Sequence, residues 1–324
     1  MAAVAPPLAS AALEREIRFD AGFVLDPDRY YAPSYRISPF ATADIHRNLA
    51  LGPGPSLSPS ERWRPKAFCY TRSGKEALAL ALRALRLRPS DCVTIFTTSG
   101  NRYISRCVTL EIEKVCRWSR SIEAETAAIF VNHEFGYPHR ELASLRSHGV
   151  PIIEDACHSY LADTDAGDMG RVGDFVIFSL PKVFPIQAGG VLAHDRRYDI
   201  ASSVGAESPL HRYLDAVVSH YLPATAEIRT RRRANHAGLA ARFRRFGCAP
   251  RFELRDGDVP GVFLFTTPAG VDLPAMKEHG WRHGIECSVF YGEDAFFIPV
   301  HQRLEAADLD YFAAVFGEFL EGGQ

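Results

Sequence analysis

Residues 173–192 read GDFVIFSLPKVFPIQAGGVL and contain two short apolar runs that lie close together in the chain. The runs Asp174–Leu180 and Gly189–His194 are rich in branched and aromatic residues, which is typical of β-strands. The segment between them is too short for the helical crossover that joins parallel strands. We therefore expect these two strands to pair antiparallel, so that part of the sheet is antiparallel.

Upstream of this stretch, apolar runs alternate with helical patterns. Helices are predicted at Ser73–Leu87 and Tyr103–Glu113. Further strands are predicted at Cys92–Phe96, Lys114–Trp118, Ala127–His133 and Val150–Ala156. Strands that are apolar throughout and alternate with helices indicate a parallel sheet covered on both faces. The fold class predicted from these patterns is α/β, with a mostly parallel mixed sheet flanked by helices.

The chain divides into three predicted parts. Residues 1–65 form an N-terminal segment, which includes a Gly/Pro/Ser-rich loop at 51–60. Residues 66–224 form a large domain. Residues 225–324 begin with a basic amphipathic helix and continue as a small α+β domain. A solvated helix face, or a face lining an anionic-substrate cleft, is favoured for that helix over a nucleic-acid or membrane surface.

Composition restricts the classes of partner. The formal net charge of −2 argues against a dedicated nucleic-acid-binding protein. No run approaches the roughly 20 apolar residues of a membrane helix, and the N-terminus lacks the basic start of a signal peptide. The seven cysteines form no CxxC pair, which is typical of reduced thiols. We expect a cytoplasmic protein without a nucleic-acid or membrane partner.

Lysine is scarce, and this narrows the search for a reactive amine. Only five of the 37 basic residues are lysines, and lysine, unlike arginine, can form imines. Lys182 lies between Pro181 and Val183 in an apolar stretch, where burial disfavours the ammonium form and leaves a nucleophilic amine. Pairing with an acid, or extension of the amine to solvent, remains an alternative for this residue. The contexts of the other four lysines favour Lys182 by elimination.

Two further segments carry polar groups at the ends of predicted elements. Ser73 and Glu76 have the spacing of a capping box, and the exposed N–H groups at the same helix start also suit a phosphate. The strand in VPIIEDACHSYLAD, residues 150–163, ends at Asp155, and the carboxyl ends of strands face the ligand crevice in open α/β sheets. Cys157 and His158 follow, but no second Cys/His group with ligand spacing accompanies them, so we predict no metal there.

Together the three segments describe a site for pyridoxal 5'-phosphate (PLP). Asp155 precedes Lys182 by 27 residues, and Gly189 and Gly190 follow. In such a site a lysine forms an imine with the cofactor, a carboxylate keeps the pyridine nitrogen protonated, and a helix start holds the phosphate.

Residues 70–192 resemble the DegT/StrS-type sugar aminotransferase family of PLP-dependent enzymes. The resemblance rests on SGKEALALAL, NHEFG, EDACHSY and FSLPKVFPIQAGG. It implies the aspartate aminotransferase-like fold, a homodimer, and PLP as cofactor. It also implies transfer of an amino group from an amino acid such as glutamate or glutamine to a keto sugar. Such acceptors are often nucleotide-linked, and the activity serves polysaccharide or natural-product biosynthesis.

The resemblance also implies residue roles. Lys182 matches the lysine that binds the cofactor and carries the proton, Asp155 matches the partner of the pyridine nitrogen, and His158 stands where the family has glutamine. The implied phosphate ligands are Ser73, Gly74 and Ser179.

Three departures from the family pattern stand out. Ser179 precedes Lys182 by only three residues, and the segment after Gly190 lacks the Asn-containing loop that reaches the partner's phosphate. Where the family has an aromatic residue stacked on the cofactor ring, Asn101 aligns, and Tyr103 is the available substitute.

Two alternatives to a sugar aminotransferase follow from these departures. One is a PLP enzyme with another reaction, either dehydration or amination of a non-sugar carbonyl. The other is a non-catalytic relative that acts as a binding or scaffold protein. For an anionic diphosphate in the substrate, the candidate contacts are Arg229, Arg232, Arg233 and His301.

Overall fold

The computed structural model describes residues 33–52, 59, 63 and 65–322, and the backbone of two short paired strands, β1 (Arg18–Phe19) and β2 (Phe23–Val24). Most of the predicted N-terminal segment, including most of the Gly/Pro/Ser-rich loop, lies outside the described residues. Helix α1 (Asp44–Leu49) belongs to the described part of that segment. Within the described ranges, no helix has the length and apolar character that a membrane crossing requires.

A seven-stranded sheet forms the centre of the larger part of the chain. Its strands are β3 (Ala67–Thr71), β4 (Cys92–Thr97), β5 (Arg117–Ser119), β6 (Thr126–Asn132), β7 (Ile152–Asp155), β8 (Phe175–Ser179) and β9 (Gly190–His194). The spatial order is β3-β9-β8-β7-β6-β4-β5, and β9 runs antiparallel to both of its neighbours while the other pairs are parallel. The predicted mixed sheet, with its antiparallel β8–β9 pair, is therefore confirmed.

The strand bounds differ from the predicted ones where a helix end intervenes. The run that starts at Lys114 becomes a strand only at Arg117, because the N–H groups of Val115 and Cys116 still bond to the carbonyl of Ile112. Strand β3 was not predicted from the sequence. It joins the sheet by pairing along its whole length with β9.

Helices cover both faces of this sheet. The first four residues of β8 are apolar because they are buried on both faces of the sheet. Phe175 and Ile177 belong to one hydrophobic cluster, and Val176 and Phe178 belong to the other. The first cluster includes α2 (Gly74–Leu85) and α3 (Arg106–Glu113), and the second includes α4 (Pro209–Tyr221). Burial on both faces removes the polar alternation that a half-exposed strand would show.

The C-terminal part is built on a second, antiparallel sheet. Its strands, in spatial order, are β10 (Ala249–Pro250), β11 (Phe263–Thr266), β13 (Ala295–Ile298) and β12 (Ser288–Val289). It packs with α5 (Thr225–Phe243), α6 (Leu273–Arg282) and α7 (Ala306–Gly322) around a phenylalanine-rich core. The predicted basic helix is thus present as α5, and the α+β character of the region is confirmed. The division of the chain into domains stays a prediction.

The start of α2 lies directly against Gly190 at the beginning of β9. A Cβ atom added to Gly190 would lie 2.5 Å from the carbonyl carbon of Ser73 and 2.7 Å from the nitrogen of Gly74. Both distances are shorter than real Cβ contacts. Gly190 pairs with Ser179 at the carboxyl end of β8. Because Gly190 has no side chain, helix α2 can begin next to this strand end.

Replacement of Gly190 by alanine should therefore displace α2 from the sheet. We expect Gly190→Ala to lower the free energy of unfolding by about 2–3 kcal/mol, since the added methyl meets backbone atoms that cannot rotate away. Gly205→Ala is the matched control, because a Cβ there meets no atom within 4 Å. Urea unfolding of both variants measures the difference, and equal midpoints for the two would contradict this account of the Gly190 contact.

Candidate active site

A cavity opens at the carboxyl ends of the parallel strands. Its volume of about 630 Å³ lies in the range of small-molecule sites. One wall comes from residues that follow β6, β7 and β8, and the opposite wall comes from α6 and from the strands β12 and β13. All six residues predicted for the site line this cavity: Ser73, Gly74, Asp155, His158, Ser179 and Lys182.

Lys182 and His158 are in direct contact. Lys182 ends a one-turn 3-10 helix, Leu180–Lys182, that follows β8, and its Nζ forms a short hydrogen bond with Nε2 of His158. Burial and the positive charge of Lys182 hold the pKa of His158 well below its ordinary value. A neutral imidazole accepts at Nε2, so the Lys182 ammonium is the donor.

The backbone around Lys182 is fixed by a buried arginine. Nη2 of Arg232, on α5, donates to the carbonyl of Lys182 at 2.7 Å, and its Nε donates to Oε1 of Gln302 at 3.0 Å. Gln302 in turn donates to the carbonyl of Val183 at 2.9 Å. Arg232 is only 1% exposed, and burial lowers its pKa to about 10. It is a positioning residue for the lysine-bearing loop.

The expectation that four residues contact a substrate diphosphate is wrong for this cavity. Arg229 donates to the carbonyl of Leu161 at 2.6 Å, and Arg233 donates to the carbonyl of Asp258 at 2.7 Å. His301 is buried, and burial lowers its pKa to about 3. Together with Arg232, these side chains satisfy carbonyls or lie in the interior, and none is among the described residues that line the cavity.

The two acidic residues at the end of β7 point to opposite faces of the sheet. Asp155 lines the cavity, and its Oδ1 accepts from the N–H of Cys157 at 2.9 Å. Glu154 is fully buried and accepts from the N–H groups of Gly170 and Gly173 at 2.6 and 2.5 Å. Of the two carboxylates, only Asp155 is available to a ligand in the cavity.

The start of α2 is both a capping box and part of the cavity wall. Oγ of Ser73 accepts from the N–H of Glu76 at 3.2 Å, and the Glu76 carboxylate accepts from the N–H of Arg72 at 2.7 Å. The Ser73 hydroxyl keeps its proton as a donor. A Cβ on Gly74 would lie 2.9 Å from Sγ of Cys157 and 3.3 Å from Cβ of Ser179, so glycine allows these three segments to meet. Hydroxyls and free N–H groups at a helix start suit an anion.

Tyr103, and not Asn101, supplies an aromatic ring to the cavity. The side-chain amide of Asn101 donates to Glu293 at 2.7 Å, while its Oδ1 accepts from the N–H of Tyr103 at 2.7 Å. This bond holds Tyr103 outside helix α3, which begins at Arg106 and not at Tyr103 as predicted. The Tyr103 ring lines the cavity beside Phe135, at 6.1 Å between ring centroids.

Phe135 adopts a backbone conformation that is rare for a side chain of its size. Its φ is +50°, in the left-handed region, and its carbonyl accepts from the N–H of Gly261 at 2.6 Å. The turn places its ring 5.1 Å from the ring of His158, edge to face. The strained turn thus packs an aromatic side chain against the partner of Lys182.

Glu134 is a cavity residue that the sequence reasoning missed. It is 1% exposed and accepts from the N–H of Ser99 at 2.6 Å through Oε2, while its Oε1 has no partner among the described residues. Burial raises its pKa to about 7. The signal in the sequence was an acidic residue inside the NHEFG turn, directly after a buried strand.

The raised pKa of Glu134 predicts a pH-dependent stability. Between about pH 4.5 and 7 the folded protein binds a proton that the unfolded chain releases, so this residue's contribution to stability falls as the pH rises. We expect the stability of Glu134→Gln, relative to the unaltered protein, to increase by up to about 3 kcal/mol across that window. Urea unfolding at several pH values measures the trend.

Glu253→Gln is the control for this measurement, because Glu253 is exposed. It removes an exposed carboxylate, so its stability measured at the same pH values is the reference for the Glu134→Gln trend. If the Glu134→Gln and Glu253→Gln curves run parallel, Glu134 does not titrate in this range.

Comparisons with known proteins show that the fold is the one found in PLP-dependent aminotransferases. Residues 66–195 match the sequence model of the DegT/DnrJ/EryC1/StrS aminotransferase family. The resemblance predicted from the sequence is confirmed over this range, which includes the seven-stranded sheet and all six predicted site residues. No curated protein matches the sequence significantly.

Solved structures share the fold over most of the chain. TlmJ, an aminotransferase from Streptoalloteichus hindustanus, is 17% identical with a TM-score of 0.71, over 89% of this chain and 99% of its own. PseC from Helicobacter pylori, an aminotransferase involved in pseudoaminic acid biosynthesis, is 13% identical with a TM-score of 0.68, over 90% and 100%. The E. coli GDP-4-keto-6-deoxy-D-mannose-3-dehydratase with bound hydrated PLP is 14% identical with a TM-score of 0.64, over 88% and 100%.

Proposed function

We propose that this protein is a PLP-dependent aminotransferase that moves an amino group from glutamate or glutamine to a keto sugar. The observation that carries the proposal is the contact between Lys182 and His158 in the same cavity as Asp155 and the start of α2. TlmJ and PseC, which share the fold, are aminotransferases, and this supports the reaction class.

The residues of the cavity fit PLP. The cofactor needs an amine, a carboxylate for its pyridine nitrogen and an anion cradle for its phosphate. Lys182 offers the amine and Asp155 the carboxylate. The cradle would consist of Ser73, Gly74 and Ser179, whose close approach depends on the missing side chains at positions 74 and 190.

When bound, PLP supplies a ring that accepts electrons from a bond broken at the substrate's amino-bearing carbon. This chain's residues supply the proton chemistry. Lys182 Nζ holds the proton and donates it as a hydrogen bond to Nε2 of His158. The lowered pKa of the imidazole leaves the proton on Nζ, so His158 orients the amine without taking its proton. Arg232 holds the Lys182 carbonyl and so fixes the reach of Nζ. Tyr103 and Phe135 line the cavity with aromatic rings, and the Phe135 ring packs against His158.

Lys277 replaces the four excluded residues as the proposed contact for an acidic acceptor. It lines the cavity from α6, with its Nζ 4.5 Å from the ring centroid of Trp281. It forms no ion pair with any described residue, whereas Lys75, also at the cavity, pairs with Glu111 at 3.1 Å. A free ammonium beside an aromatic ring suits a nucleotide-linked sugar, whose diphosphate is anionic and whose base has a stacking face.

The oligomeric state, the biosynthetic role and the cellular compartment are also proposals. A homodimer and a role in polysaccharide or natural-product biosynthesis follow from the family resemblance. The seven cysteines are all free thiols in the structure, which supports a reducing compartment such as the cytoplasm. Light scattering of the purified protein tests the dimer.

Lys182→Ala should abolish covalent binding of PLP. The full chain, incubated with PLP and reduced with borohydride, should carry the cofactor on the peptide that contains Lys182. The variant should show neither this adduct nor the visible absorption band. Lys114→Ala is the matched control, because Lys114 is exposed and is not among the described residues that line the cavity. An adduct that persists in Lys182→Ala would exclude Lys182 as the attachment site.

Dehydration is the second candidate reaction, because one structure with this fold is a PLP-bound dehydratase. Incubation of the PLP-loaded protein with glutamate distinguishes aminotransfer from dehydration. An aminotransferase converts the bound cofactor to pyridoxamine 5'-phosphate without an acceptor, and chromatography of the released cofactor measures this. Absence of conversion with glutamate and glutamine, in protein that binds PLP, would favour the dehydratase or a non-catalytic relative.

Loss of the Lys277 charge should weaken binding of an anionic acceptor. We expect Lys277→Met to raise KM for a nucleotide-linked keto sugar by about tenfold, corresponding to roughly 1.5 kcal/mol for a hydrogen bond to a charged group. The half-reaction with glutamate should be unaffected, and Lys277→Arg should retain most of the affinity. A KM unchanged in Lys277→Met would place the acceptor elsewhere.

A further inference from the structure

A cluster of two histidines and a glutamate joins helices α6 and α7. His279 lies on α6, His283 follows one turn later at its end, and Glu318 lies on α7. One ligand atom from each side chain lies within 4.8 Å of the other two. The histidine rings are 4.3 Å apart between centroids, because residues four apart share one face of a helix.

Hydrogen bonds to carbonyls fix the tautomers of both histidines. Nε2 of His279 lies 2.9 Å from the carbonyl of Val315, and Nδ1 of His283 lies 2.8 Å from the carbonyl of His279. A carbonyl only accepts, so both nitrogens carry hydrogen. In the neutral rings this leaves a lone pair on Nδ1 of His279 and on Nε2 of His283. Metal-binding histidines are oriented in this way, through the nitrogen that does not bind the metal.

The cluster is separate from the cavity. The described residues of α6 that line the cavity are Lys277 and Trp281, and neither histidine is among them. The His279 ring packs instead against Phe319 of α7, at 5.5 Å between centroids. The proton chemistry proposed for Lys182 uses none of these groups.

We propose that His279, His283 and Glu318 bind one divalent transition-metal ion of the Zn²⁺ class. Imidazole and carboxylate ligands suit zinc, whereas magnesium and calcium prefer oxygen alone. Ligand atoms around zinc lie at most about 4.4 Å apart, twice the metal–ligand distance. A small rotation of the exposed Glu318 side chain therefore closes the site. The fourth position is left to water.

The ion would cross-link α6 to α7, because its ligands come from both helices. Both helices pack on the antiparallel sheet, and α6 carries two residues of the cavity wall. A ligand that binds the folded protein and not the unfolded chain raises the melting temperature. This proposal stands whether or not the protein is an aminotransferase, because it uses other residues and another readout.

The test is zinc binding to the full chain without an affinity tag, loaded with PLP and freed of metal and of excess cofactor. Calorimetry with Zn²⁺ should show a site that is lost, or weakened by at least about tenfold, in His283→Ala and in Glu318→Gln. Zinc should raise the melting temperature of the unaltered protein but not of these variants. Co²⁺ in place of Zn²⁺ should give a visible spectrum that the variants lack.

Matched controls are Glu321→Gln, an exposed glutamate on the same helix, and His220→Ala, an exposed histidine at the end of α4. Both should bind zinc as the unaltered protein does. Equal zinc affinity in the unaltered protein, His283→Ala and Glu318→Gln would overturn the proposal, and so would absence of binding in the unaltered protein. Either outcome leaves the Lys182 experiments unaffected.

Discussion

A side chain at position 190 cannot coexist with the first turn of helix α2, and the arrangement of the cavity depends on this restriction. Gly190 pairs with both Thr71 and Ser179, and its Cα faces the Ser73–Gly74 peptide at a distance that leaves no room for a Cβ. The proposed phosphate cradle and the loop that carries Lys182 are therefore fixed to each other through backbone contacts. Side-chain packing alone would allow the helix start to shift.

The buried Arg232 shows how a charge in the interior can serve the site without contacting a ligand. A buried guanidinium is unfavourable unless its donors are satisfied. Here they bond to the carbonyl of Lys182 and to Gln302, which itself holds the carbonyl of Val183. Helix α5 and the segment before α7 thus hold the lysine-bearing loop through two of its backbone carbonyls.

Local sequence patterns predicted six of the seven strands of the large sheet. They also predicted Ser73, Gly74, Asp155 and Lys182, because these residues lie at a helix start with a capping box or near the end of an apolar strand. The family resemblance added His158 and Ser179. Local patterns could not predict which arginines face a ligand, since α5 is rich in arginine on every side and only the tertiary packing buries Arg232. Local patterns also could not predict the roles of Asn101 and Tyr103. The Asn101 side chain is held by Glu293, which lies between β12 and β13, far away in the sequence. Glu134 was missed because its position in a turn after a buried strand does not by itself show that its carboxylate is buried.

On the proposed function, one wall of the cavity carries the proton chemistry and the other contacts the acceptor. The residues proposed for the proton chemistry, Lys182, His158 and Asp155, all end or follow strands of the seven-stranded sheet. The opposite wall contributes Lys277 and Trp281 from one face of α6, four residues apart. Substitutions on that face can change the acceptor without disturbing the Lys182–His158 contact. Acceptor specificity in this protein should therefore depend on how α6 is held, which is also the helix that the His279–His283–Glu318 cluster connects to α7.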